Sequence, residues 1–180
     1  ALSSAASDVY KRQDMDGFID WVLLEGYCAN VDIKSNLRYF RTGDGPWQIA
    51  FYDLDWAFQT RSNCFFNLIG SEQTAQIAPT IRWLFGIDDF KERLLTRYAE
   101  LTETTLSDEH VTEKIDEFRA LLAPEIARER AHWGGSEKDW NEQVDALRAN
   151  IADDYAAHTV RNLCSILGMG EEERMEYFGF

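Results

Sequence analysis

The chain has 180 residues, 45% hydrophobic and 13% aromatic, enough for one domain with a sizeable core and too apolar for a disordered segment. Its formal net charge is -14, from 18 Lys and Arg against 32 Asp and Glu, so a polyanion is repelled at long range; nucleic acid is excluded as the expected partner and a basic one is favoured. No run reaches the roughly 18 apolar residues of a membrane span, and the unpatterned cysteines Cys28, Cys64 and Cys164 make neither a disulfide framework nor a zinc site.

The opening ALSSAASDVYKRQ is small and polar and fits no later pattern. Residues 1–13 are therefore expected to be a linker or a non-native leader, and 14–180 the folded domain. Asp14 and Asp16 are suited to cap a helix, in which Phe18, Trp21, Val22, Leu24 and Tyr27 cover most of the circumference. Such a helix has to be largely buried, with Cys28 as a small core residue near its end. The polar NVDIKSN follows, then a predicted strand at Leu37–Phe40, a turn at Thr42–Pro46 and a second strand at Trp47–Tyr52. Residues 36–53 thus read as a β-hairpin ending in Asp53-Leu54-Asp55-Trp56.

Beyond it the pattern is helical. Residues 57–76, with Asn63, Asn67 and Gly70, read as irregular, and a short helix is expected over Ala78–Phe85. Asp88 caps a helix with the stripe Phe90, Leu94, Tyr98, Leu101, and Ser107 caps one with Val111, Ile115, Phe118, Leu122. Pro124 should break or kink that helix or start its successor. Ser136 with Asp139 resembles a capping box before Trp140, Val144, Leu147 and Ile151, and Gly168 and Gly170 stop that region ahead of an acidic tail. His110, His132 and His158 fall on three predicted helices and read as surface or core residues. Tryptophans 21, 47, 56, 83, 133 and 140 read as packing groups.

The chemistry-bearing residues lie at the ends of the hairpin. Antiparallel pairing puts the start of one strand beside the end of the other, so Asp32, Asn36, Asp53 and Asp55 are expected to converge. Three carboxylates and an amide are hard oxygen donors suited to Mg²⁺ or Mn²⁺, above all when phosphate completes the shell. Each residue also has a plainer reading. Asp32 alone is a common turn former. An Asp-x-Asp pair recurs by chance, serves some nucleotide-sugar transferases, or forms a structural Ca²⁺ site. What distinguishes the set is its order, Asp, Asn, hairpin, Asp, the one used by protein kinases.

The runs NVDIKSNLRYFR and WQIAFYDLDWAF resemble the CotH (spore-coat protein H) kinase family. So do DDFKERLLTRYAELTETTLSDEHVTEKIDEF and APEIARERAHWG, over about residues 14–167, with YDLDWAF the most specific part. The resemblance implies an α+β, predominantly helical fold: an atypical protein-kinase-like C-terminal lobe with a catalytic β-hairpin packed on a helical array. It implies transfer of the ATP γ-phosphate to Ser or Thr of a protein substrate such as a spore-coat or surface protein. It also implies a place in the spore coat, at the cell surface or outside the cell. By the same resemblance Asp32 matches the catalytic-loop Asp, Asn36 the amide heading the next strand, Asp53 the metal-binding Asp and Asp55 its acidic companion. Mg²⁺ or Mn²⁺ would be held by Asp53, Asp55 and Asn36, and ATP by Asn36 and Asp53. Two departures stand out. Gln59 occupies a position where relatives often have Gly, and the Asp32–Asn36 spacing is one residue shorter than in ordinary protein kinases. A non-catalytic coat or adhesin module with the same fold is the alternative. A kinase also needs a phosphate-contacting Lys and a covering lobe. Lys11 and Lys34 are in the wrong context, so the chain is expected to be the C-terminal lobe of a longer domain.

Overall fold

The computed structural model describes residues 12–33, 36–59, 61, 64–70 and 77–180. Residues 1–11 of the expected leader, Lys11 among them, and Lys34 lie outside the described residues. The chain divides into two compact units, Ala1–Tyr98 with Arg161–Phe180, and Ala99–Val160. The described residues are predominantly helical with one two-stranded antiparallel sheet, as an α+β chain of this pattern should be.

In the first unit, α1 (Met15–Tyr27) begins where the Asp14 carboxylate accepts from the Gly17 amide at 3.0 Å. Its apolar circumference is buried as expected, from Phe18 through Trp21, Val22 and Leu23 to Tyr27. Each such side chain contributes about 1.5–3 kcal/mol by leaving water. A second helix, α2 (Cys64–Gly70), stands where the sequence pattern predicts irregular chain. Asn67 and Gly70 are weak helix formers, but packing overrides that preference. Phe65 and Leu68 are fully buried, and Phe65 meets Tyr98 edge-on at 5.7 Å. Gly26 of α1 makes room for the Phe65 ring, which a Cβ at that position would approach to 2.2 Å. Helix α3 (Ala78–Leu84) follows as expected, and the Arg82 guanidinium donates to the Ile69 carbonyl.

Helix α4 (Asp88–Glu103) buries the predicted stripe of Phe90, Leu94, Tyr98 and Leu101. Its Arg93 and Arg97 reach Asp16 and Asp20 of α1, Arg97 through two bonds of 2.7 and 3.1 Å. Pairs this exposed are worth about 0–1 kcal/mol each, so they set the register of α1 on α4 more than its stability. The acidic tail forms a helix near the C-terminus (Glu171–Phe178), with Glu171, Glu172 and Glu173 in the first turn, where the helix dipole favours anions. Its Phe178 packs on Tyr98 at 6.1 Å.

The hairpin is shorter than predicted: β1 is Tyr39–Phe40 and β2 is Gln48–Ile49, paired Tyr39 with Ile49 and Phe40 with Gln48. One further bond, Ala50 N–H to the Arg38 carbonyl at 2.9 Å, extends the ladder. Among the described residues no second sheet packs on the two strands, and a hairpin alone is marginal. It is held instead at the N-terminal end of α1. Asp14 donates its amide to the Trp47 carbonyl at 2.8 Å, and the Trp47 amide donates to Arg12 at 2.7 Å. The Gln48 side chain donates to the Asp14 carboxylate at 3.0 Å. Arg12 and Gln13, at the end of the expected linker, therefore join the hairpin through Trp47.

In the second unit, α5 (Asp108–Trp133) is one helix of 26 residues, about 39 Å long. Pro124 lies inside it and neither ends it nor starts another. The ring removes one backbone donor and crowds the carbonyl four residues back, a cost that a helix of this length absorbs, and the Arg128–Glu125 ion pair at 2.5 Å supports the turn that follows. His110 and His132 consequently share a helix, against the expectation of three separate ones. Helix α6 (Glu137–Ala152) starts with the predicted capping box of Ser136 and Asp139 and runs antiparallel to α5. Arg119 donates to Asp145 at 2.6 Å and Asn141 at 2.7 Å, and Arg148 reaches Asp116 at 2.9 Å. The predicted apolar stripe of α5 stays largely uncovered, with Phe118 60% and Leu122 47% exposed. The region expected to run on to Gly168 instead breaks at Asp153 and Asp154, the latter at φ 56, before α7 (Tyr155–Leu167). Only Trp21 among the six tryptophans is buried; Trp47, Trp56, Trp83 and Trp133 are exposed, so the expectation of general packing roles does not hold.

Candidate active site

The site begins where α1 ends. Cys28 closes the helix by donating to the Leu24 carbonyl at 2.8 Å, and Ala29 then turns the chain at φ 50, a left-handed conformation unusual for a residue with a Cβ. The Asn30 side chain accepts from the Asp32 amide at 3.0 Å, an Asx turn that orients the residue next in line for chemistry. Asp32 is half-buried. Asn36 donates through Nδ2 to the Asp32 carbonyl at 2.9 Å and, more loosely, to the carboxylate at 3.5 Å. Ile33, buried at 2% exposure, pins the segment, and the Asn36 amide returns to its carbonyl at 3.0 Å.

The other predicted carboxylates follow β2. Asp53 is exposed and sits at φ 62, the left-handed region that Asp enters more readily than most residues. Asp55 is exposed on the turn closed by the Ala57 amide and the Leu54 carbonyl at 3.0 Å. Phe58, again left-handed at φ 57, donates its amide to the Cys28 carbonyl at 2.7 Å, and its ring meets Tyr27 edge-on at 6.1 Å. That bond fastens the loop carrying Asp53 and Asp55 to the turn that leads to Asp32. Asp32 and Asn36 are in direct contact, while Asp53 and Asp55 stand on the adjoining loop. Among the described residues no three His, Cys, Asp or Glu side chains gather into a metal cluster. The three carboxylates expected to converge, Asp32, Asp53 and Asp55, therefore do not form such a cluster; Asp32 and Asn36 meet, and Asp53 and Asp55 stand apart from them on their own loop.

The CotH kinase protein family matches residues 3–156 of the chain. The chain belongs to the CotH kinase family. No curated protein and no solved structure matches it. Of the segments that carry the resemblance, YDLDWAF ends at Phe58, whose amide bonds to Cys28, two residues before NVDIKSN begins.

Two residues beside the site carried no expectation. Glu25 of α1 and Asn30 are 4% and 1% exposed, and the Asn30 amide donates to the Glu25 carboxylate at 2.9 Å. Burial pushes the Glu25 carboxyl up to about 7, an effect that the Asn30 amide and then the Trp21 indole partly offset. The visible signal was an acid inside the apolar run Leu23-Leu24-Glu25-Gly26-Tyr27. Among the described residues no helix is long and apolar enough to cross a membrane.

Proposed function

We propose that the protein is an atypical Ser/Thr kinase in which this CotH chain supplies a protein-kinase-like C-terminal lobe. What carries the reading is the Cys28–Phe58 bond, which in a chain of this family fastens the loop bearing Asp53 and Asp55 to the turn bearing Asp32. Asp32 accepts the proton of the substrate hydroxyl as its oxygen bonds to the γ-phosphorus and the bond to the ADP oxygen breaks. Asn36 holds Asp32 in place and, with Asp53 and Asp55, offers hard oxygen donors that fit Mg²⁺ or Mn²⁺. When bound, the ion neutralises charge on the phosphates. The acidic surface favours a basic protein substrate, at the spore coat or cell surface.

The test is phosphate transfer by the full-length protein with labelled ATP, Mg²⁺ and a protein substrate. Asp53→Asn, which keeps the left-handed backbone and removes the charge, should lower transfer by about 10²-fold or more. Undiminished transfer by that variant overturns the assignment. A non-catalytic coat or adhesin module would give no transfer from the wild type, and a nucleotide-sugar transferase would bind a UDP-sugar in preference to ATP.

A further inference from the structure

Charged residues are almost never fully buried unless paired, yet Glu25 is 4% exposed in the last turn of α1. The groups acting on its carboxylate are neutral: the Asn30 amide, itself 1% exposed and bonded at 2.9 Å, and the Trp21 indole one turn back. An apolar pair of similar volume would fill the space without the cost of burying two polar groups, so stability alone does not account for it.

Geometry does. The Asn30 amide is used at both ends: Nδ2 donates to Glu25 Oε2 at 2.9 Å, and Oδ1 accepts from the Asp32 backbone at 3.0 Å. The Asn30 backbone amide also returns to the Glu25 carbonyl at 3.3 Å, across the left-handed turn at Ala29. We infer that Glu25 is a positioning residue: from the rigid end of α1, through the Asn30 amide, it fixes the backbone of Asp32 and hence the direction of its carboxylate. The inference rests on the role given above to Asp32. Glu25 touches no reacting atom. Either protonation state of Glu25 leaves an oxygen to accept from Asn30, so a glutamine should serve as well, whereas a leucine of similar size should not.

The experiment compares Glu25→Gln and Glu25→Leu in the full-length protein by two readouts, amide hydrogen exchange at Asp32 and steady-state kinetics. Glu25→Leu should speed exchange at Asp32 about tenfold or more and lower kcat by a similar factor, with a smaller change in KM for ATP, because the effect reaches the nucleotide only through the Asn36–Asp32 bond. Glu25→Gln should match the wild type within about threefold in both. Wild-type exchange at Asp32 in Glu25→Leu overturns the inference, as does a Glu25→Gln variant as impaired as Glu25→Leu, since the bond would then not be what matters. If Glu25→Leu fails to fold, Asn30→Ala replaces it with the same expectations, and wild-type exchange and kcat there overturn the inference equally. A wild-type protein that transfers no phosphate refutes the kinase reading instead, and the exchange measurement still decides whether Glu25 positions Asp32.

Discussion

The two sides of the candidate site are built differently. The turn carrying Asp32 grows from a buried helix: Cys28, Ala29, Asn30 and Ile33 are all nearly inaccessible, and one hydrogen bond follows another from Glu25 to Asn36. The loop carrying Asp53 and Asp55 hangs from a hairpin of two-residue strands, with Phe51, Tyr52 and Trp56 exposed around it. Under the proposed function, the residue that would take the proton, Asp32, is the one held before substrate arrives, and the residues that would share an ion with phosphate oxygens stand on the more open loop, which puts preorganisation where a small displacement costs most.

Breaking the rigid side at its chemical end should have the largest effect. Asp32→Asn in the full-length protein keeps the shape and removes the base, and should lower kcat by about 10²–10⁴-fold with little change in thermal stability. A kcat within a factor of two of the wild type would end the assignment of Asp32 as the base.

The buried end of the same relay should respond to pH. The folded Glu25 carboxyl titrates at about 7 against an ordinary 4.5, so the fold binds its proton more tightly than the unfolded chain does. The associated stability is complete below the ordinary value and is lost as pH rises through the folded one. It amounts to on the order of 3 kcal/mol, an upper figure. Unfolding midpoints of wild type and Glu25→Gln, measured from pH 5 to pH 8, should separate progressively, with the wild type losing more. Parallel curves would mean that the carboxyl is better solvated than its burial implies.

A third change attacks the rigid side from behind. Gly26→Ala drives a methyl into the Phe65 ring and should cost about 1–3 kcal/mol, read as a lower midpoint in denaturant. On the open side, Trp56→Ala should move stability by no more than about 0.5 kcal/mol, because the ring is 54% exposed. A large loss there would mean that the loop is anchored by its tryptophan.

What the sequence made legible follows the same division. Features written in one stretch of chain came through: the Asp14 and Ser107 caps, the Ser136–Asp139 box, the buried stripe of α4 and the presence of an antiparallel hairpin between Asp32 and Asp53. Features decided by distant neighbours did not. Phe65 makes a helix of α2 by packing under Gly26 and Tyr98, which no local pattern announces. Pro124 signals a break that the long α5 absorbs, and the strand-like run Trp47–Tyr52 pairs with its partner strand only at Gln48 and Ile49. The Glu25–Asn30 contact spans five residues, yet it depends on a left-handed alanine at position 29 that no residue type foretells.

The Phe58 amide offers a direct handle on assembly of the site. Its bond to Cys28 closes a loop that contains the entire hairpin, so that hydrogen is shielded only while both halves are together. Any excursion that parts the loop from the end of α1 exposes it to exchange with solvent. Its exchange rate therefore counts how often the two segments separate, and, under the proposed function, slowing on addition of nucleotide and Mg²⁺ would measure at a single atom how much the ligands hold them together.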